Sequence, residues 1–258
     1  MKWTMTTIWF WNLAVADIMC CLCLPFSVVQ FFYADWLYGP VLCKMLNFIL
    51  PFNMFASVFT LVAISVDRCI LVVQPIWARN HRGVQVAWMT CLTIWTLSFI
   101  MCLPNALYQT LSTSHNRTLC YSEEHSIEVT IYINMVFGFL LPFLIIFACY
   151  ISVAFILDNR RFSAVGNKII KVSLGIIVAF FITWAPYHIM GIVLLYIGNE
   201  VVDILDILSH SLAMFNSCIN PILYVFMGKD MKDRVRQSIA ELMQNTLSES
   251  LTKTPNRT

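Results

Sequence analysis

The chain has 258 residues, of which 59% are hydrophobic and only 12% charged, with a formal net charge of +2 and a mean hydropathy of +0.75. A soluble domain carries about a quarter charged residues, so this composition excludes one and points to an all-α, polytopic membrane helical bundle. The net charge itself says little, because in a membrane protein the placement of charge matters more than its sum.

Apolar runs long enough to cross a hydrocarbon layer of roughly 30 Å fall at about 4–32, 43–73, 85–108, 128–157, 169–197 and 203–227. An even number of spans puts both termini on one side. The stretches after the second, fourth and last spans carry Arg79, Arg82, Arg160, Arg161, Lys168, Lys171, Lys229, Lys232, Arg234 and Arg236, and by the positive-inside rule that side is the cytosol. The opposite loops hold Asp35, Glu123, Glu124, Glu128, Glu200, Asp203 and Asp206 against Lys44 and Arg117. That acidic excess either keeps an exposed face soluble or attracts a cationic ligand. Of the ten cysteines, only Cys43 and Cys120 fall in outer-face positions. Beyond Gly228, the apolar residues Met231, Val235, Ile239, Leu242 and Met243 share one face, so 229–245 reads as an amphipathic helix on the inner leaflet. Residues 246–258 are polar and read as a disordered tail, with Ser248, Ser250, Thr252 and Thr254 open to kinases.

The second span is the one around which the rest is organised. From Cys43 to Arg68 a helix rises about 37 Å, enough to put its two ends in opposite compartments. It closes in Asp67-Arg68. Arg68 either snorkels to the headgroups beside a neutralising Asp67, or the two form a latch that releases Arg68 to a cytosolic partner. Asp17 lies inside the first span, where a carboxylate needs partners, and Ser57, Asn216, Ser217 and Asn220 are the candidates. Such a group either holds a small cation such as sodium or is a structural hydrogen-bond network.

Prolines mark four spans, at Pro104, Pro142, Pro186 and Pro221. The aromatics Phe180, Trp184 and Tyr187 around Pro186 are either plain core or a kink that bends further under a ligand. Tyr150 and Tyr224 end their spans at the level of Arg68, as belt residues or as groups that refill its site.

The set Asn12-Leu13-Ala14-Val15-Ala16-Asp17, Cys43, Asp67-Arg68-Cys69, Trp95, Cys120, Pro142, Tyr150, Trp184-Ala185-Pro186 and Asn220-Pro221-Ile222-Leu223-Tyr224 resembles, in order and spacing, the rhodopsin-like G protein-coupled receptors. Within them, Trp36-Leu37-Tyr38-Gly39-Pro40, Asn53 to Phe59, Pro75-Ile76-Trp77 with Asn80-His81-Arg82, Pro186-Tyr187-His188-Ile189, and Gly228-Lys229-Asp230 resemble the chemoattractant receptors. The complement anaphylatoxin receptors for the third-component fragment are the nearest match, followed by the formyl peptide and fifth-component receptors. The resemblance implies a plasma-membrane receptor with a cytosolic C-terminus that binds a cationic, anaphylatoxin-like peptide outside and activates an inhibitory-class G protein inside. Arrestin and receptor kinases would act at the tail. It also implies a G protein switch at Asp67, Arg68, Tyr150, Asn220, Pro221 and Tyr224, and a toggle at Trp184, Phe180 and Pro186. Asp17, Ser57, Asn216, Ser217 and Asn220 would form a sodium-type network. Ligand contacts would be Asp206, Tyr187, His188, Asn134 and Gln109, with Asp206 taking a peptide arginine. An outer Cys43–Cys120 disulfide and a glycan on Asn116, but not on Asn256, are expected.

Three departures stand out. The chain begins where the family's second span should, so a seam beside the first and last spans is expected to be exposed. The outer segment 109–127 is short, and two positions used toward a peptide carboxylate are the uncharged Gln109 and Asn134. The competing readings are a truncated, signalling-dead receptor and a small transporter using Asp17, although transporters commonly show internal repeats and none is seen here. His81, His115, His125, His188 and His210 are scattered without metal-ligand spacing, so neither an enzyme, a metal site nor a nucleic-acid partner is expected.

Overall fold

The computed structural model describes residues 4–33, 35–114, 117–122, 124–158, 164–197 and 199–218. Among these, six helical segments are long and apolar enough to cross a bilayer. In chain order the elements are α1 (Met5–Phe32), α2 (Gly39–Val73), the short α3 (Pro75–His81), α4 (Val84–Leu107), a hairpin of β1 (Gln109–Ser114) and β2 (Arg117–Ser122), α5 (Glu124–Met135), a π-turn (Val136–Leu140), α6 (Leu141–Asp158), α7 (Ala164–Tyr196) and α8 (Glu200–Cys218). The amphipathic segment 229–245, the tail, Asn116 and Asn256 lie outside the described residues.

α2 is the axis of the bundle. It packs against α1, α4, α6 and α7, and residues 51–58 are buried without a break. A helix that is apolar all round is stable only when neighbours cover every face, and the run from Phe52 to Val58 meets that condition. The other helices bury one stripe and expose apolar residues outward, such as Leu22, Leu92, Phe147 and Ile182. Such faces suit lipid and not water.

Several boundaries differ from the sequence reading. α2 opens at Gly39 and not at Cys43: Gly39 takes φ +73°, a left-handed conformation that glycine adopts without strain, and Pro40 fits the first helical turn. α8 likewise starts at Glu200 and not at 203. Two further prolines, Pro25 and Pro51, lie inside α1 and α2. The fourth span is not one continuous α-helix. Ahead of Pro142, which has no N–H to donate, the backbone widens so that the Leu141 N–H bonds the Val136 carbonyl, five residues back. In this turn Gly138 comes so close to α2 that a Cβ there would stand 2.5 Å from Met54 Cε and 3.1 Å from Sδ.

The segment after α4 is an antiparallel hairpin, with Leu111 opposite Cys120 and Thr113 opposite Thr118. It is fastened to α2 by the expected disulfide between Cys43 and Cys120, whose Cα atoms are 5.8 Å apart. Its second strand also accepts the Trp36 N–H at the Thr118 carbonyl, 2.7 Å away.

Candidate functional site

Polar groups collect at three levels along α2. At its C-terminal end Asp67 and Arg68 are both buried. They touch, with Arg68 Nη1 3.5 Å from Asp67 Oδ2, but the main partner of the acid is Arg82. From the end of α3, Arg82 donates through Nε to Asp67 Oδ1 at 2.6 Å and through Nη2 to Oδ2 at 2.9 Å, the two-point fork that a guanidinium makes best with a carboxylate. Arg68 instead turns Nη2 to Thr6 Oγ1 on α1, at 3.0 Å. The hydroxyl of the half-buried Tyr150 of α6 lies buried near Arg68 without a hydrogen-bond partner. Asp67, Arg68 and Tyr150 are thus brought together, whereas Asn220, Pro221 and Tyr224 lie outside the described residues. The sequence counted Arg82 as an inner-side charge and as part of the Asn80-His81-Arg82 match, and gave it no role toward Asp67, 15 residues earlier.

At mid-depth, Asp17, Ser57, Asn216 and Ser217 are each 0% exposed. Asn53 joins them: its Nδ2 donates to Ser217 Oγ at 3.0 Å, and Thr183 Oγ1 donates to Asn216 Oδ1 at 3.3 Å. Asn53 stands one turn before Ser57 on the same helical face, a spacing that sequence reasoning passed over. The Asn53 Oδ1 and Ser57 Oγ atoms are buried without a protein hydrogen-bond partner. A carboxylate, hydroxyls and amide oxygens form the hard donor set that a small cation takes, so these residues fit sodium. Beside this group, Asn12 of α1 accepts the Trp95 Nε1–H at 2.6 Å and donates to Thr60, clasping α1, α2 and α4.

Next along α7 is the aromatic cluster. Trp184 is 0% exposed, with its ring centroid 5.8 Å from Phe180 and 5.4 Å from Tyr187. Pro186 lies inside the helix between them. His188 is buried, 4.9 Å from the Phe139 ring.

Toward the hairpin end the helices part around a cavity of about 370 Å³. Its wall includes Gln109, Asn134 and Tyr187, along with Gln30, Asn47, Asn105 and His210. Of the other two predicted ligand residues, His188 faces the aromatic cluster instead. Asp206 adjoins the wall through His210, whose Nδ1 is 3.4 Å from its Oδ2 and 3.0 Å from its backbone carbonyl. The His210 ring in turn meets Tyr187 edge-on at 4.8 Å. The cavity, the aromatic cluster, the mid-depth oxygens and the Arg68 cluster therefore run in series through one bundle.

Residues 1–224 match the family described as 7 transmembrane receptor (rhodopsin family). The chain is 40% identical to the C3a anaphylatoxin chemotactic receptor of Oncorhynchus mykiss, covering 98% of this chain and 73% of that receptor. It is 37% identical to the chemerin-like receptor 1 of Rattus norvegicus, over 96% and 73% of the two chains. With the C5a anaphylatoxin chemotactic receptor 1 of Gorilla gorilla gorilla it shares 36% identity, over 96% and 74%. These relatives are receptors and not enzymes. The chain belongs to the rhodopsin family of seven-transmembrane receptors, a multi-pass membrane protein of the chemoattractant group that contains the C3a, C5a and chemerin-like receptors.

Proposed function

We propose that this receptor binds a cationic, anaphylatoxin-like peptide in the cavity at the hairpin end and activates an inhibitory-class G protein at the Arg68 end. The observation that carries this reading is that α2 reaches both places, with Asn47 and Leu50 on the cavity wall and Asp67-Arg68 at its other end, and that α1 runs beside it with Gln30 on the wall and Thr6 on Arg68. The names of the relatives support the peptide class. The hairpin end is the extracellular side, in keeping with its disulfide, and the C-terminus is cytosolic at the plasma membrane, where arrestin and receptor kinases meet the tail.

A basic side chain entering the cavity meets His210 and, through it, Asp206. Pressure on Tyr187 is passed to Trp184 and Phe180, which pack around Pro186, and favours the conformer of α7 that leans outward at its cytosolic end. Arg68 is then exposed to the G protein. Asp17, Ser57 and Asn53 would hold a sodium ion that balances the Asp17 charge in the resting state; the chain's own oxygens orient it and keep water out.

The test is nucleotide exchange by purified receptor in lipid nanodiscs with inhibitory-class and stimulatory-class G proteins, with basic and neutral peptides compared. Exchange on the inhibitory class alone, driven by basic peptides alone, is the expected result. Exchange driven equally by neutral peptides sinks the ligand assignment.

A further inference from the structure

His210, which the sequence left among the scattered histidines, lines the cavity, whereas Asp206, in contact with it, does not. The side chain of His210 is 40% exposed. Inside the cavity the charge of Asp206 is therefore felt through the imidazole ring.

The hydrogen bonds fix which ring nitrogen a ligand meets. Nδ1 of His210 lies 3.0 Å from the Asp206 backbone carbonyl and 3.4 Å from the carboxylate Oδ2. Both oxygens only accept, so Nδ1 carries a hydrogen whether the ring is neutral or charged, and Nε2 is the nitrogen left to the ligand. With the ring neutral, Nε2 is an acceptor backed by a carboxylate, and the His210–Asp206 pair is negative. With the ring protonated, Nε2 becomes a donor and the pair has no net charge. A single proton thus reverses both the hydrogen-bonding role and the charge that this part of the wall offers.

The rest of the wall has no such response. Asp206 on α8 and Tyr187 on α7, whose ring meets His210 edge-on at 4.8 Å, are the titratable side chains that face it among the described residues. The other described lining residues, from α1 through α5 and the hairpin, include no Asp, Glu, His, Lys or Arg. The carboxamides of Asn105, Gln109 and Asn134 offer donors and acceptors at every pH, so they hold a ligand without choosing its charge. Histidine is the side chain whose ordinary titration, near pH ~6.5, falls in the physiological range, and a phenol's lies far above it.

Resting on the cationic-peptide reading, we propose that His210 is the specificity-determining residue of this cavity. A basic ligand side chain binds against its neutral Nε2, and a proton on the ring competes with that side chain for the charge of Asp206. Acidification therefore weakens basic ligands and leaves neutral ones in place.

The experiment uses the whole chain in nanodiscs and two fluorescent, acetylated pentapeptides, one ending in arginine carboxamide and one in citrulline carboxamide, with no other titratable side chain. Affinity for the arginine peptide should fall about tenfold from about pH 7.5 to about pH 5.5, the linkage of one proton to an ordinary histidine, while that for the citrulline peptide changes by less than about twofold. Calorimetry near pH ~6.5 in two buffers of different ionisation enthalpy should show proton release on binding the arginine peptide. His210→Gln, which keeps an acceptor but takes up no proton, should flatten the arginine profile. Affinity for the arginine peptide that is constant or rises on acidification, proton uptake on binding, or an unchanged profile in His210→Gln overturns the proposal; the calorimetry decides on the unaltered chain should the variant not fold. The cationic reading survives any of these results if the arginine peptide binds tighter than the citrulline peptide at about pH 7.5. Equal binding of the two peptides there, or no saturable binding of either, overturns that reading and the proposal with it.

Discussion

Arg82 grips both carboxylate oxygens of Asp67, at 2.6 and 2.9 Å, although Arg68 is next to Asp67 in the chain and reaches it only once, at 3.5 Å. A double-mutant cycle on thermal stability in detergent should therefore give a coupling of about 1–3 kcal/mol for Asp67 with Arg82 and well under that for Asp67 with Arg68. The reverse order would make the sequence-adjacent pair the true latch.

Arg68→Ala should abolish G protein activation while leaving peptide binding within about twofold, because Arg68 lies at the opposite end of the bundle from the cavity. Binding assays paired with nucleotide exchange separate the two effects. Undiminished exchange would return Arg68 to a snorkelling role.

Asp206→Asn should weaken a basic peptide by roughly 2–5 kcal/mol, the cost of removing one partner from a desolvated charge pair, and spare a peptide without Lys or Arg. Saturation binding with both ligands is the measurement. An equal loss for both would make Asp206 a structural brace for His210.

Gly138→Ala should lower thermal stability by about 1 kcal/mol, because the atom in the way is the flexible methyl end of Met54, while Gly138→Val should cost distinctly more. Melting curves of the two variants in nanodiscs decide this. A neutral Gly138→Val would mean that the π-turn can draw away from α2.

Asn116, in Asn116-Arg117-Thr118, should carry a glycan and Asn256 should not. Glycosidase treatment of receptor from eukaryotic cells should shift its mobility, and Asn116→Gln should remove the shift. A glycan on Asn256 would invert the topology.

Much of this architecture was legible because a bilayer imposes a long apolar period: α1, α4 and α7 lie close to where hydropathy put them. What escaped detection depends on geometry that hydropathy does not encode. The hairpin strands, Gln-Thr-Leu-Ser-Thr-Ser and Arg-Thr-Leu-Cys-Tyr-Ser, are polar enough to read as loop; the disulfide and the Asn47–Cys120 hydrogen bond hold them against α2, and the Trp36–Thr118 hydrogen bond holds them to the segment just before it. The π-turn before Pro142 has no compositional mark beyond the proline itself. Of the site, the placement of Asp67 and Arg68 at the end of one span and of Trp184 one turn from Phe180 followed from position along a helix, and the structure has Asp67 and Arg68 near the C-terminal end of α2 and Trp184 packed on Phe180. Arg82 and Asn53 were missed because each acts through a partner distant in sequence, Asp67 across α3 and Ser217 on α8.

α2 is fastened to loops near both ends, by the Cys43–Cys120 bond and by the Asp67–Arg82 fork, and its apolar window is 56% buried against 17% for the 127–156 span and 33% for the 173–196 span. A rod clamped in this way should serve as the stator of the bundle, with the more exposed spans around it as the rotor. Distances measured from a probe on α2 should then report the movement of the other helices.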